Sequence, residues 1–138
     1  MYINTIKVFD ELMANICRQK TSSDYSCHSN VKTDVYYVEK ILKDLRFIRT
    51  NTQNLTLKEL ELNEILCDSI FFRLIQISEN SSKLSPLFKL DHQDISWSAI
   101  KGMRNRIVHD YGEVKLDIVY QTVKEDIPFL CEQLEKLV

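Results

Sequence analysis

Apolar residues recur at intervals of three and four along most of the chain, which is the period of one face of an α-helix. Five segments carry this pattern, each long enough for several helical turns. We predict helices over about residues 4–20, 31–50, 56–83, 96–112 and 115–137. Polar residues fill the interval 21–30, which we interpret as a loop.

The second and third predicted helices have the most informative apolar faces. In the second, the residues that would face a partner helix are Val31, Val35, Val38, Leu42 and Leu45. In the third, the main stripe is Leu66, Ile70, Leu74 and Ile77, and Ile65, Phe72 and Ile75 widen it. A helix that is apolar around so much of its circumference either lies centrally or turns one face to a second subunit.

Helix boundaries are marked by a few residues. A capping-box sequence starting at Thr56 is typical of a helix N-terminus and opens the third helix. Pro86 is expected to end that helix, which leaves residues 87–95 as a connector. We expect Gly112 to end the fourth helix. Pro128 lies inside the fifth and should bend it, because proline lacks a backbone donor and clashes with the preceding turn.

Composition agrees with a helical fold. The 138 residues include two glycines and two prolines, whereas average usage would give about ten and about seven. All-β folds need more turn residues than that, and the 44% hydrophobic content excludes a disordered chain. We therefore predict an all-α protein that forms an antiparallel bundle of four to five helices, with the helical-bundle domain over residues 31–138. Residues 1–30 would form an extra helix and a polar loop.

Neither a membrane span nor a signal peptide is expected. No stretch reaches the roughly 18–20 apolar residues of a span, and no basic region with an apolar run follows Met1. The cysteines show no paired spacing typical of a metal site; they are Cys17, Cys27, Cys67 and Cys131. We interpret them as reduced thiols of a cytoplasmic protein that binds no metal and needs no cofactor.

One segment differs from the rest in its chemistry. Lys101, Arg104, Arg106 and His109 lie within nine residues, and no acidic residue occurs until Asp110. The net charge of −2 makes non-specific attraction to nucleic acid weak. A local cationic cluster is different, because it could hold a single phosphate. A solvated helix face is the simpler alternative.

The cluster contains the pattern Arg-x4-His-x-Tyr, formed by Arg104, His109 and Tyr111, with Gly112 following. Residues five apart on a regular α-helix lie about 140° apart around its axis. Arg104 and His109 therefore do not share one stripe. They would reach the same phosphate if the helix loosened near Gly112, or if two copies of the chain met across a dimer axis.

These residues resemble a known signature. Arg104-Asn105-x-x-x-His109 with Tyr111 is similar to the motif of the HEPN superfamily, in its HepT-like branch. The preceding run from Trp97, and the segment from Ile77 through Glu79 to Ser85, are also similar to that branch. The last predicted helix fits as well. The resemblance covers about residues 31–138, which is 138 − 30 = 108 residues.

Three departures from the family pattern stand out. Ser78 occupies a position where the family usually has glycine, and Lys115 one where aspartate often caps the last helix. Neither affects the motif. Residues 1–30 have no counterpart, so the resemblance gives them no role.

The resemblance implies a function. Similar proteins are the toxin halves of two-gene toxin–antitoxin modules, act as metal-independent endoribonucleases and pair with a minimal nucleotidyltransferase. His109 would then be the general acid or base, Arg104 the transition-state clamp, and Asn105 an orienting or phosphate-binding residue. The transferase would attach AMP to Tyr111. Glu79 would pair with Arg104 or Arg106 and hold the site in register.

Each assignment has an alternative. His109 could cap a helix C-terminus, Tyr111 could be a packing residue, and Glu79 a surface residue. Arg73 either reaches the surface or faces a dimer cleft, and we do not expect it to be catalytic. For the whole protein, the alternatives are a non-catalytic substrate- or nucleotide-binding partner of a nucleotidyltransferase, which the acidic pI of about 5.9 favours, and a purely structural dimerisation bundle.

The apolar third helix and the 140° offset together predict a homodimer, in which a two-fold axis brings two copies of the motif into one cleft.

Overall fold

A computed structural model of the chain describes residues 32–110 and 112–138, and no β-strand occurs among them. The helices are α1 (Asp34–Thr52), α2 (Leu57–Glu61), α3 (Glu64–Ser82), α4 (Pro86–Asp91), α5 (Trp97–His109), α6 (Leu116–Gln121) and α7 (Ile127–Glu135). A π-helical turn, Thr122–Asp126, joins α6 to α7. The all-α prediction is confirmed. The predicted helix and loop within residues 1–30 lie outside the described residues, so that division of the chain stays a prediction.

Helices α1 and α3 run antiparallel. At the start of α1 the Asp34 carboxylate accepts hydrogen bonds from the backbone N–H and the hydroxyl of Ser85, just beyond α3, both at 2.7 Å. Ten residues further along α1, Asp44 pairs with Arg73, twelve residues before Ser85. The contacting residue number rises along α1 and falls along α3, as it does between antiparallel helices.

The last helical segment is also antiparallel to α1. Glu135 of α7 accepts hydrogen bonds from Arg46, at 3.1 Å, and from Arg49. At the other end the Tyr120 hydroxyl donates to the carbonyl of Leu55, at 2.8 Å. Helix α5 packs against α3. Among the described residues, α1, α3, α5 and the α6–α7 segment form a bundle of the predicted kind.

Most of the predicted stripes are buried. The buried members are Val38, Leu42 and Leu45 in α1, and Ile70, Leu74, Ile75 and Ile77 in α3. The last segment also buries an apolar face, formed by Val119, Val123, Ile127, Leu130 and Leu134. The prediction was wrong for Val35, which lies in the first turn of α1 and is 52% exposed. Two members of the broad α3 face are exposed as well, Ile65 at 81% and Phe72 at 42%.

The third predicted helix is two helices. The capping box is confirmed: the Thr56 hydroxyl accepts from the backbone N–H of Glu59, whose carboxylate accepts from the backbone N–H of Thr56. Helix α2 ends after five residues, however, and the Asn63 side chain caps α3 by accepting from the N–H of Leu66 at 3.1 Å. The apolar period continues on both sides of the break, so it did not reveal it.

Pro86 begins a helix rather than a connector, so the assignment of residues 87–95 was wrong in part. Ser85 caps α4 by accepting from the N–H of Phe88 at 3.1 Å, and Pro86 follows in the first turn. Proline suits this position because the first N–H groups of a helix have no intrahelical acceptor.

Two expectations for the C-terminal half also change. Helix α5 ends at His109 with Asp110 as its C-cap, and Gly112 has no positive φ angle, so Gly112 is not the predicted cap. The irregularity in the last helix lies just before Pro128, where the N–H of Ile127 bonds to the carbonyl of Thr122, five residues back. This wider turn makes room for the proline ring, which clashes with a carbonyl in a regular turn.

Arg73 joins α3 to α1, a contact that neither earlier interpretation of this residue included. Its Nη1 atom lies 2.6 Å from Asp44 Oδ1, and its guanidinium stacks 4.0 Å above the ring of Phe47. Replacing Asp44, which is only 8% exposed, leaves a partly buried cation without its partner. We expect Asp44→Ala to lower the free energy of unfolding by about 2–3 kcal/mol in urea denaturation. The exposed Lys43→Ala is the control, and an equal effect of both would contradict this role.

Cys67 and Cys131 are free thiols. Burial raises the pKa of both, and the Cys67 thiol donates to the carbonyl of Leu60 at 3.2 Å. A raised pKa keeps a thiol protonated and slow to react. Both side chains therefore serve packing. Cys17 and Cys27 lie outside the described residues.

Candidate active site

The candidate site is built on one face of α5. Trp97, Lys101 and Arg104 occur at intervals of four and three, which places them on a single stripe of a regular helix. Ile107, three residues beyond Arg104, is fully buried in the core. Packing of α5 immediately beside the stripe therefore holds the stripe in place.

Arg104 is anchored by two neighbouring side chains. Its Nε atom donates to Glu79 Oε1 at 3.1 Å, and Nη1 donates to Asn105 Oδ1 at 3.3 Å. The two side chains of the ion pair are 31% and 35% exposed, so water screens their attraction in part. The contact between α3 and α5 expected from the resemblance is present, with Arg104 and not Arg106 as the partner.

A cleft of about 470 Å³ opens beside Arg104. Its walls are the last turns of α3, the cleft-facing stripe of α5, and Lys89 of α4. The residues that line it are Ser78, Glu79, Ser81, Ser82, Lys89, Trp97, Ser98, Ile100, Lys101, Arg104 and Asn105. Its size is within the range typical of small-ligand sites.

The charge of the cleft is opposite to that of the chain. Its lining includes three cations, Lys89, Lys101 and Arg104, and one anion, Glu79, which gives 3 − 1 = +2. The whole chain has a formal charge of −2. Within the described residues, neither lysine has a carboxylate partner in an ion pair. The cleft is therefore suited to an anion, and a guanidinium can form paired hydrogen bonds with the oxygens of a phosphate or a carboxylate.

His109 is the last residue of α5 and does not line the cleft. It is exposed, and no side-chain hydrogen bond or ion pair to it occurs in the described part of the chain. On a regular helix it lies one turn beyond Asn105 and about 40° from it, but about 140° from Arg104. Helix α5 stays α-helical to His109, with the N–H of Asp110 bonded to the carbonyl of Arg106. The expected loosening of the helix therefore does not occur up to that point.

Arg106, another of the predicted site residues, does not line the cleft. Arg106 is exposed on the side of α5 opposite the cleft and has no side-chain partner among residues 32–110 and 112–138. Tyr111 lies outside the described residues. The structure thus brings Arg104, Asn105 and Glu79 together, places His109 one turn away, and leaves Arg106 apart.

Sequence reasoning missed part of the cleft. Ser78, Ser81 and Ser82 recur with helical spacing at the end of α3, and this polar stripe on an otherwise apolar helix was a usable signal. Lys89 gave no signal, because its position depends on how the short helix α4 docks. Lys101 was noted only as part of the cationic cluster.

Within the described residues, no group of three or more His, Cys, Asp or Glu side chains is placed to hold a metal ion. Nor does any helix in that part of the chain combine the length and the apolar character that crossing a membrane requires.

Comparison with known proteins places the chain in a family. The model of the family described as "Ribonuclease HepT-like" matches residues 41–137. A Thermococcus cleftensis protein named "Probable ribonuclease HepT" is 33% identical over 106 residues, covering 73% of this chain and 92% of its own. A protein of Caldanaerobacter subterraneus subsp. tengcongensis named "Putative RNase" is 26% identical, covering 78% and 96%. No solved structure matches. The chain belongs to the HepT-like ribonuclease family of the HEPN superfamily.

Proposed function

We propose that this protein is a toxin endoribonuclease that cleaves cellular RNA in the cytoplasm without a metal ion. The observation that carries the proposal is the anchored Arg104–Asn105 pair in a cationic cleft, with a histidine one helical turn away, in a chain that belongs to a ribonuclease family. Incubating the purified protein with total RNA in the presence of a chelator tests it.

Arg104 is assigned to bind the scissile phosphate. A guanidinium offers paired N–H donors that match two phosphate oxygens, and it keeps its charge at any physiological pH. The bond from Nε to Glu79 sets the plane of the guanidinium before RNA arrives. Glu79 is thus a positioning residue, and Asn105 holds Nη1 from the other side.

His109 is assigned the proton transfers. The 2′-oxygen attacks the adjacent phosphorus in line, the bond from phosphorus to the 5′-oxygen breaks, and a 2′,3′-cyclic phosphate and a 5′-hydroxyl remain. An imidazole can take the proton of the 2′-hydroxyl or give one to the leaving 5′-oxygen. The exposed position of His109 leaves it accessible to an RNA backbone that crosses the end of α5.

A homodimer would complete the site. His109 and Arg104 lie about 140° apart on a regular helix, so His109 of one chain can face a phosphate that Arg104 of the other holds. On α3, the exposed Ile65 and Phe72 are seven residues apart, and Glu79 follows after seven more. Such spacing forms one stripe. A two-fold interface along this stripe therefore leads directly to the Glu79–Arg104 pair of each chain.

Ile65→Glu tests this interface. A charge placed within an apolar contact is expected to convert the dimer into a monomer, without loss of fold because Ile65 is 81% exposed. Light scattering after size exclusion, at micromolar concentration, measures the change. Leu90→Glu, a substitution of an exposed leucine on α4 outside the stripe, is the control and should leave the mass unchanged. A monomeric unsubstituted protein would contradict the proposal.

We infer that the partner is a minimal nucleotidyltransferase that acts as the antitoxin. The hydroxyl oxygen of Tyr111 would attack the α-phosphorus of ATP, pyrophosphate would leave, and the phenolic proton would pass to a base of the transferase. The AMP group would then add negative charge two residues from His109. Steric overlap and like-charge repulsion would exclude the phosphate of an RNA.

Co-expression with the cognate transferase is expected to add one AMP to the chain, detected by intact mass, and to abolish RNA cleavage. Tyr111→Phe should remain unmodified and active in the same cells. An unmodified Tyr111 together with neutralised toxicity would show that binding alone, and not modification, inhibits the protein.

A non-catalytic nucleotide-binding partner of the transferase is the second candidate. It is favoured by the acidic pI of about 5.9, which disfavours long-range attraction of RNA. The two functions separate in one comparison: the candidate toxin must both cleave RNA and slow growth when expressed alone, and the binding partner does neither.

A further inference from the structure

The cleft beside Arg104 contains features that phosphate cleavage does not need. Besides Arg104, it is lined by an aromatic ring, Trp97, and by two lysines, Lys89 and Lys101. We propose that this cleft binds the nucleotide next to the scissile phosphate, with its base stacked on Trp97 and its far phosphate held by the two lysines. The inference rests on the proposed ribonuclease function and adds the part of the substrate that the site recognises.

Trp97 is held rigidly. Its indole N–H donates to the carbonyl of His92 at 3.1 Å, and its ring lies 6.2 Å from that of Phe88, centroid to centroid. Phe88 in turn packs on the imidazole of His92 at 4.5 Å. The single polar group of the indole is therefore already bonded. The ring therefore contributes apolar surface to the lining of the cleft. An aromatic ring can stack on a base of any type, because every base has a π-face.

The two lysines supply charge on the same side as Trp97. Lys101 lies one helical turn beyond Trp97 on α5, and Arg104 follows three residues later. Lys89 approaches from α4. One base and two phosphates need one aromatic surface and two cationic positions. Trp97 offers the aromatic surface, Lys101 with Lys89 offers one cationic position, and Arg104 offers the other.

A stacked base must be free of its pairing partner. Bases in an RNA duplex are already stacked on both faces, so only single-stranded or looped RNA can place one on Trp97. We therefore assign the substrate as RNA that is unpaired at the cleaved position. A free nucleotide has the same base and phosphate chemistry, so the experiment must separate the two sources.

Trp97 is the only tryptophan of the chain, so its fluorescence reports on this cleft directly. The probe is a short single-stranded oligonucleotide whose 2′-O-methyl groups prevent cleavage. We expect it to quench Trp97 fluorescence, whereas the same strand with abasic positions, its duplex form and AMP should quench weakly at equal concentration. Quenching by AMP at lower concentrations than by the strand would overturn the RNA assignment.

Substitutions separate stacking from charge. Trp97→Leu should weaken binding of the oligonucleotide about tenfold, measured by anisotropy, and Trp97→Phe should retain most of it. Lys89→Gln and Lys101→Gln should each reduce the slope of log affinity against log salt concentration by about 0.7. Lys43→Gln, on the exposed side of α1, is the matched control. If Trp97→Leu fails to fold, the abasic strand and the lysine variants still decide the question.

Failure of the inference and failure of the proposed function are distinguishable. If the unsubstituted protein cleaves RNA but abasic strands bind equally well and both lysine variants match the control, the subsite is wrong and the ribonuclease assignment stands. If the protein cleaves no RNA, the proposed function fails, and the fluorescence experiment still tests the cleft as a nucleotide site.

Discussion

His109→Ala is expected to lower the rate of RNA cleavage by about 10²- to 10⁴-fold, the usual contribution of a general acid or base. The reason is chemical and not structural. The side chain is exposed at the end of α5 and bonds to no described residue, so its removal should leave the melting temperature unchanged. Single-turnover cleavage of a labelled RNA measures the loss.

The control for this variant is Gln93→Ala, another exposed polar residue without a bond to any described side chain. It should retain the unsubstituted rate. Binding of the 2′-O-methyl oligonucleotide should be unchanged in His109→Ala, since the histidine acts on protons and not on affinity. Equal losses of binding and cleavage would instead make His109 a binding residue.

Arg104→Ala should cost about 10²- to 10³-fold in the cleavage step, because a donor aimed at the developing charge of the phosphorane is removed. Arg104→Lys keeps the charge but loses the paired N–H donors and the geometry set by Glu79, so it should recover only part of the rate. Comparison of kcat and KM for the two variants separates transition-state binding from simple attraction of RNA.

Glu79→Gln provides the matched comparison for Arg104. Glutamine retains an oxygen that can accept from Arg104 Nε, so it should keep most of the positioning, whereas Glu79→Ala should lower kcat further. If both Glu79 variants behave like the unsubstituted protein, Glu79 is a surface residue, and the contact with Arg104 contributes nothing to catalysis.

The main helices and their buried faces could be predicted, because both follow from the periodicity of apolar residues. Val38, Leu42 and Leu45 of α1 are buried as predicted, because a stripe of that width has to face another helix. The break at Asn63 escaped prediction because the side chain of Asn63 restarts the helix without interrupting the apolar pattern. Helix α4 escaped because Pro86 was interpreted as an end, although it equally suits a first turn.

The site was predictable in its motif but not in its surroundings. The pairing of Glu79 with Arg104 joins residues 25 apart, and spacing alone gave no reason to join them; the expectation came from the resemblance. Lys89 could not be predicted at all, since its place in the cleft depends on the tertiary docking of a six-residue helix. The roles of His109 and Tyr111 stay predictions, because chemistry and partners, and not the position of a helix, decide them.

We expect this chain to cleave RNA through His109 without a metal ion. The most direct measurement is incubation of purified protein and of its His109→Ala variant with total RNA in a chelator, followed by mapping of the new ends. We predict new 2′,3′-cyclic phosphate ends with the unsubstituted protein and a loss of these ends with the variant. Cleavage that persists in His109→Ala, or that the chelator abolishes, would contradict the claim.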